Sequence, residues 1–174
     1  MPYPLSRMQS HEKALFGELN LHEPDSMVMD YVRDGMGYVK KKLWPVLEKI
    51  KGYRPFKEPD YIMQKDDMSP NTPAATLSYF DPISRLYKKV LIVSKDLARY
   101  PMDAIRHIIG HEEGHIAEGL GGDLYSEAMN DKNLVDAHYA MGDYETAKHI
   151  EQHSGYLQRL YGLARSLGRI FCCQ

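Results

Sequence analysis

His111-Glu112-Glu113-Gly114-His115 is the stretch whose residue types and spacing could do chemistry. On a helix, residues four apart share one face and stand one turn apart, so both imidazoles can reach a single metal ion. Zinc suits that geometry, with Zn–N distances of about 2.0–2.1 Å. Glu112 adjoins the first histidine and turns toward the open side of such an ion. There it would take a proton from water acidified by the metal and return it to a leaving amine. The chemistry expected is hydrolysis of a peptide bond in a peptide or protein substrate, with Zn²⁺ as cofactor and Glu112 as base, then acid. Three fixed letters are weak alone, but Ile105, Ile108, Ile109 and Ile116 give this helix apolar flanks.

Two histidines do not complete a catalytic zinc site, which usually takes three protein ligands and leaves a fourth position to water. Glu118 lies one turn beyond His115 and would extend along the helix axis, away from a shared ion. Glu127 follows the turn Gly119-Leu120-Gly121-Gly122, where a returning helix first passes the metal. Glu145, Asp136 and His138 stay open as alternatives. His107, one turn before His111, reads as a supporting residue. His138, His149, His153, Tyr139 and Tyr144 are candidates for a group that stabilises charge on the substrate oxygen. Glu145, His149 and His153 also recur at four-residue spacing, as a second metal site would require. A ferritin-like di-iron reading of Glu112 and His115 needs a second Glu-x-x-His, and the sequence has none.

The elements that must position these residues can be read coarsely. Residues 1–24 look irregular, with Pro2, Pro4 and Pro24 as breakers. From Asp25 or Ser26 a helix is expected, because Val28, Val32, Met36, Val39, Leu43, Val46, Leu47 and Ile50 recur at helical spacing. Pro45 should kink it and Gly52 should end it. Tyr61-Ile62-Met63 is a short strand, and Thr76–Phe80 and Lys88–Val93 are better ones, forming an antiparallel hairpin. After residue 100 the pattern is helical. The motif helix follows Pro101, a second helix spans Asp123 to about Met141, and a last one runs from about Asp143 to Arg169. This order is an α+β domain over residues 1–174, with a small, mostly antiparallel three-stranded sheet and two helices after the motif helix.

Composition narrows the function classes. A 174-residue chain with 43% apolar residues can bury a core, and disorder is excluded as a description of the whole. A net charge of -2 argues against a nucleic-acid binder, and Tyr38-Val39-Lys40-Lys41-Lys42 is the one basic patch. No apolar run approaches the ~18 residues a membrane span needs, and no signal core follows Arg7, so a cytoplasmic protein is expected. Cys172 and Cys173 are adjacent and cannot staple a core. A thiolate tail there could instead reach the metal and block it.

The order of helix, short strands, Lys89-Val90-Leu91-Ile92-Val93-Ser94-Lys95-Asp96-Leu97 and the His111 helix resembles the zincin metallopeptidases. It is most similar to the small gluzincins called minigluzincins, over roughly residues 25 to 140. Metzincins do not fit, because they need Gly at 118 and His or Asp at 121, where this chain has Glu118 and Gly121. The resemblance implies a third ligand from a glutamate on the next helix. In Ser126-Glu127-Ala128-Met129-Asn130-Asp131 the Glu-Ala pair is similar to that signature, which points to Glu127. It implies further that Asp131 orients a ligand histidine. The substrate would lie extended along the edge strand at Thr76, Leu77, Ser78, Tyr79 and Phe80. The other function open to such a chain is a zincin-like metal-binding regulatory or interaction module without general proteolytic activity.

Overall fold

The computed structural model describes residues 8–162. Its elements run α1 (Ser10–Glu18), α2 (Ser26–Tyr38), a π-helical turn (Val39–Leu43), α3 (Trp44–Lys51), β1 (Tyr61–Lys65), β2 (Ala74–Asp81), β3 (Leu86–Ser94), a 3₁₀ turn (Lys95–Arg99), α4 (Met102–Glu118), α5 (Leu124–Ala140) and α6 (Tyr144–His153). Residues 155–162 are helical again. The class is α+β. No helix of the described residues is long and apolar enough to cross a membrane.

The N-terminal segment is not irregular over 1–24, because α1 occupies Ser10–Glu18. Its sequence shows almost no apolar periodicity, and tertiary contacts hold it. Phe16 sets its ring edge-on against Tyr61 and Tyr79, at 5.5 and 5.8 Å between centroids. Gln9 and Glu12 close a capping box at its start.

The long helix expected from Asp25 begins at Ser26, and α3 stops at Gly52 with φ 67°. Its irregularity precedes Pro45, at the π turn Val39–Leu43, and leaves the proline in the first turn of α3. There its missing N–H falls where the ladder passes from π to α spacing. The widened turn moves the carbonyls that the ring would otherwise strike. Val28, Val32, Val39, Leu43 and Leu47 are buried along one stripe, whereas Ile50 is exposed.

The sheet is mixed rather than mostly antiparallel. Its order is β1-β3-β2, with β3 parallel to β1 and antiparallel to β2. The loop from β1 to β2 spans the width of a missing strand, and β3 fills that gap. Val90-Leu91-Ile92-Val93 is therefore central and covered on both faces, which is why it reads as an unbroken apolar run. Ile62, Leu91 and Val93 face the main core under α2, α4 and α5, while Tyr61, Met63 and Val90 face α1. The last helix does not continue to Arg169 without a break. Ser154 interrupts it, its backbone extended and its hydroxyl accepting from the Leu157 N–H at 3.1 Å. Arg169, Cys172 and Cys173 lie outside the described residues.

Candidate metal centre

α4 and α5 meet at a glycine. A Cβ on Gly114 would come 2.3 Å from the Asn130 Oδ1, so the absence of a side chain in the middle of the motif lets α5 lie against α4. Asn130 spans the contact by donating from Nδ2 to the His111 carbonyl at 2.7 Å. α4 ends at Gly119, whose φ of 67° lets the chain reverse. The Asp123 carboxylate then accepts from the Tyr125 and Ser126 N–H groups and starts α5. Glu127 and Asp131, one turn apart on α5, come to stand opposite His111 and His115.

Three ligand atoms converge. His111 Nε2 is 2.6 Å from Glu127 Oε2, His115 Nε2 is 3.3 Å from the same oxygen, and the two Nε2 atoms are 3.2 Å apart. Bonds of about 2.0–2.1 Å at tetrahedral angles give ligand separations of about 3.3 Å. Two of the three separations match that figure, and the third is a hydrogen bond that an ion would spread. The outer nitrogens are also committed. His111 Nδ1 is 2.6 Å from Asp131 Oδ1, and His115 Nδ1 is 2.9 Å from the Leu120 carbonyl. Each outer N–H donates to an oxygen, which turns both Nε2 atoms toward the common centre. Two imidazoles and one carboxylate are the donor set of catalytic zinc sites, so the residues present fit a divalent transition metal.

The electrostatics follow from burial among paired charges. Burial alone would lower the His111 pKa, but Asp131 and Glu127 hold the imidazolium and raise it to about 10. Burial raises Asp131, yet His107 and His111 outweigh it and keep that carboxyl far below the usual range. Glu127 is lowered too, with the His111 bond and charge exceeding the burial effect. A metal ion binding here would displace a proton from His111 Nε2.

Glu112 is buried beside this centre. Burial pushes its pKa up, opposed by the His111 charge and by the Thr76 hydroxyl, which donates to Oε2 at 2.8 Å. Oε1 has no such donor among the described residues. The neighbouring Glu113 is fully buried, neither of its oxygens has a hydrogen-bond partner among the described residues, and burial pushes its carboxyl well up toward the neutral form.

The remaining sequence candidates fall elsewhere. Glu118 Oε1 accepts from the Arg54 N–H. Asp136 pairs with Lys51 and Lys132. His138 is buried against Tyr38 and lies 3.2 Å from Asp143. Glu145 lines a surface hollow with Asp103 and His149. His149 and His153 stack on each other at 4.2 Å, and the two form no cluster of metal-ligating groups with Glu145 among the described residues. Tyr139 donates to Glu151, and Tyr144 is exposed beside it. His107 supports the site, with Nε2 3.0 Å from Asp131 Oδ1.

Two residues escaped the sequence reading. Tyr156 stacks on His111 at 5.6 Å and 12°, and Ser154 donates to Asp131 Oδ2 at 2.5 Å. Neither belongs to a motif, and only the break after α6 delivers them. Both line a cleft of about 240 Å³, together with Asn71, Pro73, Ala74 and Glu112. Thr76 touches Glu112, whereas Leu77 and Tyr79 turn to the opposite face of the sheet toward α1. Ser78 and Phe80 are exposed. No protein-family model, curated protein or solved structure matches this chain.

Proposed function

We propose that this chain is a zinc-dependent peptidase of zincin type, in which His111, His115 and Glu127 hold the metal and Glu112 handles the proton. The observation that carries the reading is the meeting of three ligand atoms within 3.3 Å of one another beside a buried, singly anchored glutamate. Zinc in such a site supplies Lewis acidity toward a carbonyl oxygen and lowers the pKa of water. The protein does the rest. Thr76 holds Glu112 by Oε2, so Oε1 is the atom that takes the proton of the attacking water and passes it to the leaving amine. Burial keeps that carboxyl ready to hold the proton between the two transfers. Asp131 and the Leu120 carbonyl fix the imidazole orientations, and Tyr156 and Ala74 both line the cleft where an extended peptide would lie.

The test has two parts. Metal analysis of the purified chain should find one zinc per molecule. Glu112→Gln should keep that zinc and lose at least ~100-fold in hydrolysis of any peptide the wild type cleaves. Undiminished turnover in Glu112→Gln would remove the assigned role. A zinc-loaded wild type that cleaves no peptide would favour a metal-binding regulatory module instead.

A further inference from the structure

β2 is an edge strand, with β3 on one side and no strand on the other among the described residues. The Ser94 N–H donates to the Pro73 carbonyl at 2.9 Å, which makes positions 73 and 94 a hydrogen-bonded pair. Pairs of this kind alternate along an antiparallel ladder. Thr76, Ser78 and Phe80 therefore turn their backbone N–H and C=O groups outward, to the open edge. Their side chains share one face, the face on which Thr76 meets Glu112. The strand thus begins in the cleft and carries free pairing groups away from it.

At the far end stand two exposed aromatics. Phe80 lies opposite Tyr87, their rings 5.5 Å apart and inclined at 64°. They are 51% and 67% exposed, which is unusual for two large adjacent apolar side chains. α4 covers this face of the sheet near Thr76 but not here. A peptide that adds a strand to β2 places a side chain directly beside Phe80, at cross-strand contact distance. That residue stands four positions along from the one opposite Thr76, or about 13 Å away at strand rise.

We infer that Phe80 and Tyr87 form an apolar subsite, selecting extended peptides that carry an aliphatic or aromatic side chain four residues from the one paired with Thr76. This rests on the peptidase reading of the metal centre and deepens it. The bound side chain would complete a row of three, Tyr87, Phe80 and the peptide residue, and would cover the pair from water. Its continuity with the cleft, along one strand and one face, is what assigns a peptide to this surface.

A positional-scanning library of decapeptides, given to the zinc-loaded full chain, tests this. One position four residues from the Thr76-paired one should prefer Leu or Phe over Ser or Asp by about ten-fold in KM, with kcat little changed. Phe80→Ser and Tyr87→Ser, both at exposed positions, should erase that preference and leave the other positions alone, and Phe80→Leu should retain it. A preference unchanged in Phe80→Ser, or equal losses on every peptide, would overturn the subsite. If the wild type cleaves nothing, the peptidase reading fails separately. Binding of the same library to zinc-loaded Glu112→Gln then decides the subsite, sustained by an apolar preference that Phe80→Ser removes and overturned by its absence. Sedimentation with phosphatidylserine vesicles that depends on Phe80, with peptide preference unaltered, would assign the pair to a lipid surface and overturn the proposal.

Discussion

Between α1 and the β2–β3 hairpin, His11, Glu12 and Asp81 gather much as His111, His115 and Glu127 do between α4 and α5. The two clusters draw on the same residue types and satisfy them differently. Lys88 Nζ stands 2.7 Å from Glu12 Oε1 and 2.9 Å from Asp81 Oδ2. Glu12 also receives the Tyr61 and Tyr79 hydroxyls and the Gln9 N–H, at 2.8, 2.6 and 2.9 Å. A resident ammonium has taken the place a metal would need. At the other cluster, among the described residues, no lysine or arginine pairs with Glu127 or Asp131. Their cationic partners are imidazoles, which can give up a proton to an incoming cation. What separates an ion-pair cluster from a candidate metal centre is thus the identity of the positive charge, not the count of acids and histidines.

The sharpest break of that contrast is removal of the ligands. His111→Ala with His115→Ala, and Glu127→Ala alone, should weaken zinc binding by at least ~1000-fold, while Glu145→Ala leaves it within two-fold, as read by titration calorimetry. Because zinc at the proposed site would bind only the folded chain, the ligand variants should also lose the part of thermal stability that a chelator removes from the wild type. Stoichiometric zinc in the double variant would place the metal elsewhere, with the Glu12 cluster the first place to look.

Lys88→Met tests the other half. Without the ammonium, two buried carboxylates lose the cation they share, and Tm should fall by about 5–10 °C. Millimolar zinc should recover part of that loss and bind as a second equivalent, because the vacated position now suits a cation. No added zinc uptake would mean that Lys88 is not what distinguishes the clusters.

Gly114→Ala should disturb the candidate metal centre and spare the Glu12 cluster. Its methyl meets Asn130, so α5 must shift, costing about 2–3 kcal/mol and loosening zinc about ten-fold. Urea unfolding and a zinc titration read the two effects, and the Glu12 cluster should keep its acid resistance.

That resistance is the smallest expected effect. Burial raises the Glu12 pKa, but Lys88, Tyr79, Gln9 and Tyr61 together lower it from 4.5 to about 2. A depressed carboxyl contributes stability in full above its unfolded pKa, and this is lost as pH falls through the folded one. The wild type should therefore lose stability between about pH 4.5 and 2, and Glu12→Gln should show a shallower slope there in denaturant unfolding. Equal slopes would deny Glu12 its part.

Some of this was legible from residue order. The helical stripe from Val28 to Leu47, the hairpin of β2 and β3 and the two-helix return after Gly119 all rest on local periodicity and turn chemistry, which act over a few residues. The spacing of His111 and His115 belongs to the same class, because helix geometry alone sets it. α1 was not legible, since its apolar face is slight and its stability comes from Tyr61, Tyr79 and Lys88, far along the chain. Nor was the parallel pairing of β1 with β3, which depends on where a long loop returns.

The choice of Glu127 over Asp136, His138 and Glu145 as neighbour of the two histidines was made in three dimensions. It follows from the bare Cα of Gly114 and the reversal at Gly119, which set the approach and phase of α5 against α4. Tyr156 and Ser154 reached the site the same way, through a break that no motif marks. The sequence by itself determined two imidazoles on one face and a carboxylate beside them, because a helix repeats whatever it packs against. Only the tertiary structure decided which carboxylates complete the two clusters and which of them a lysine already neutralises, because that depends on side chains brought together from separate segments.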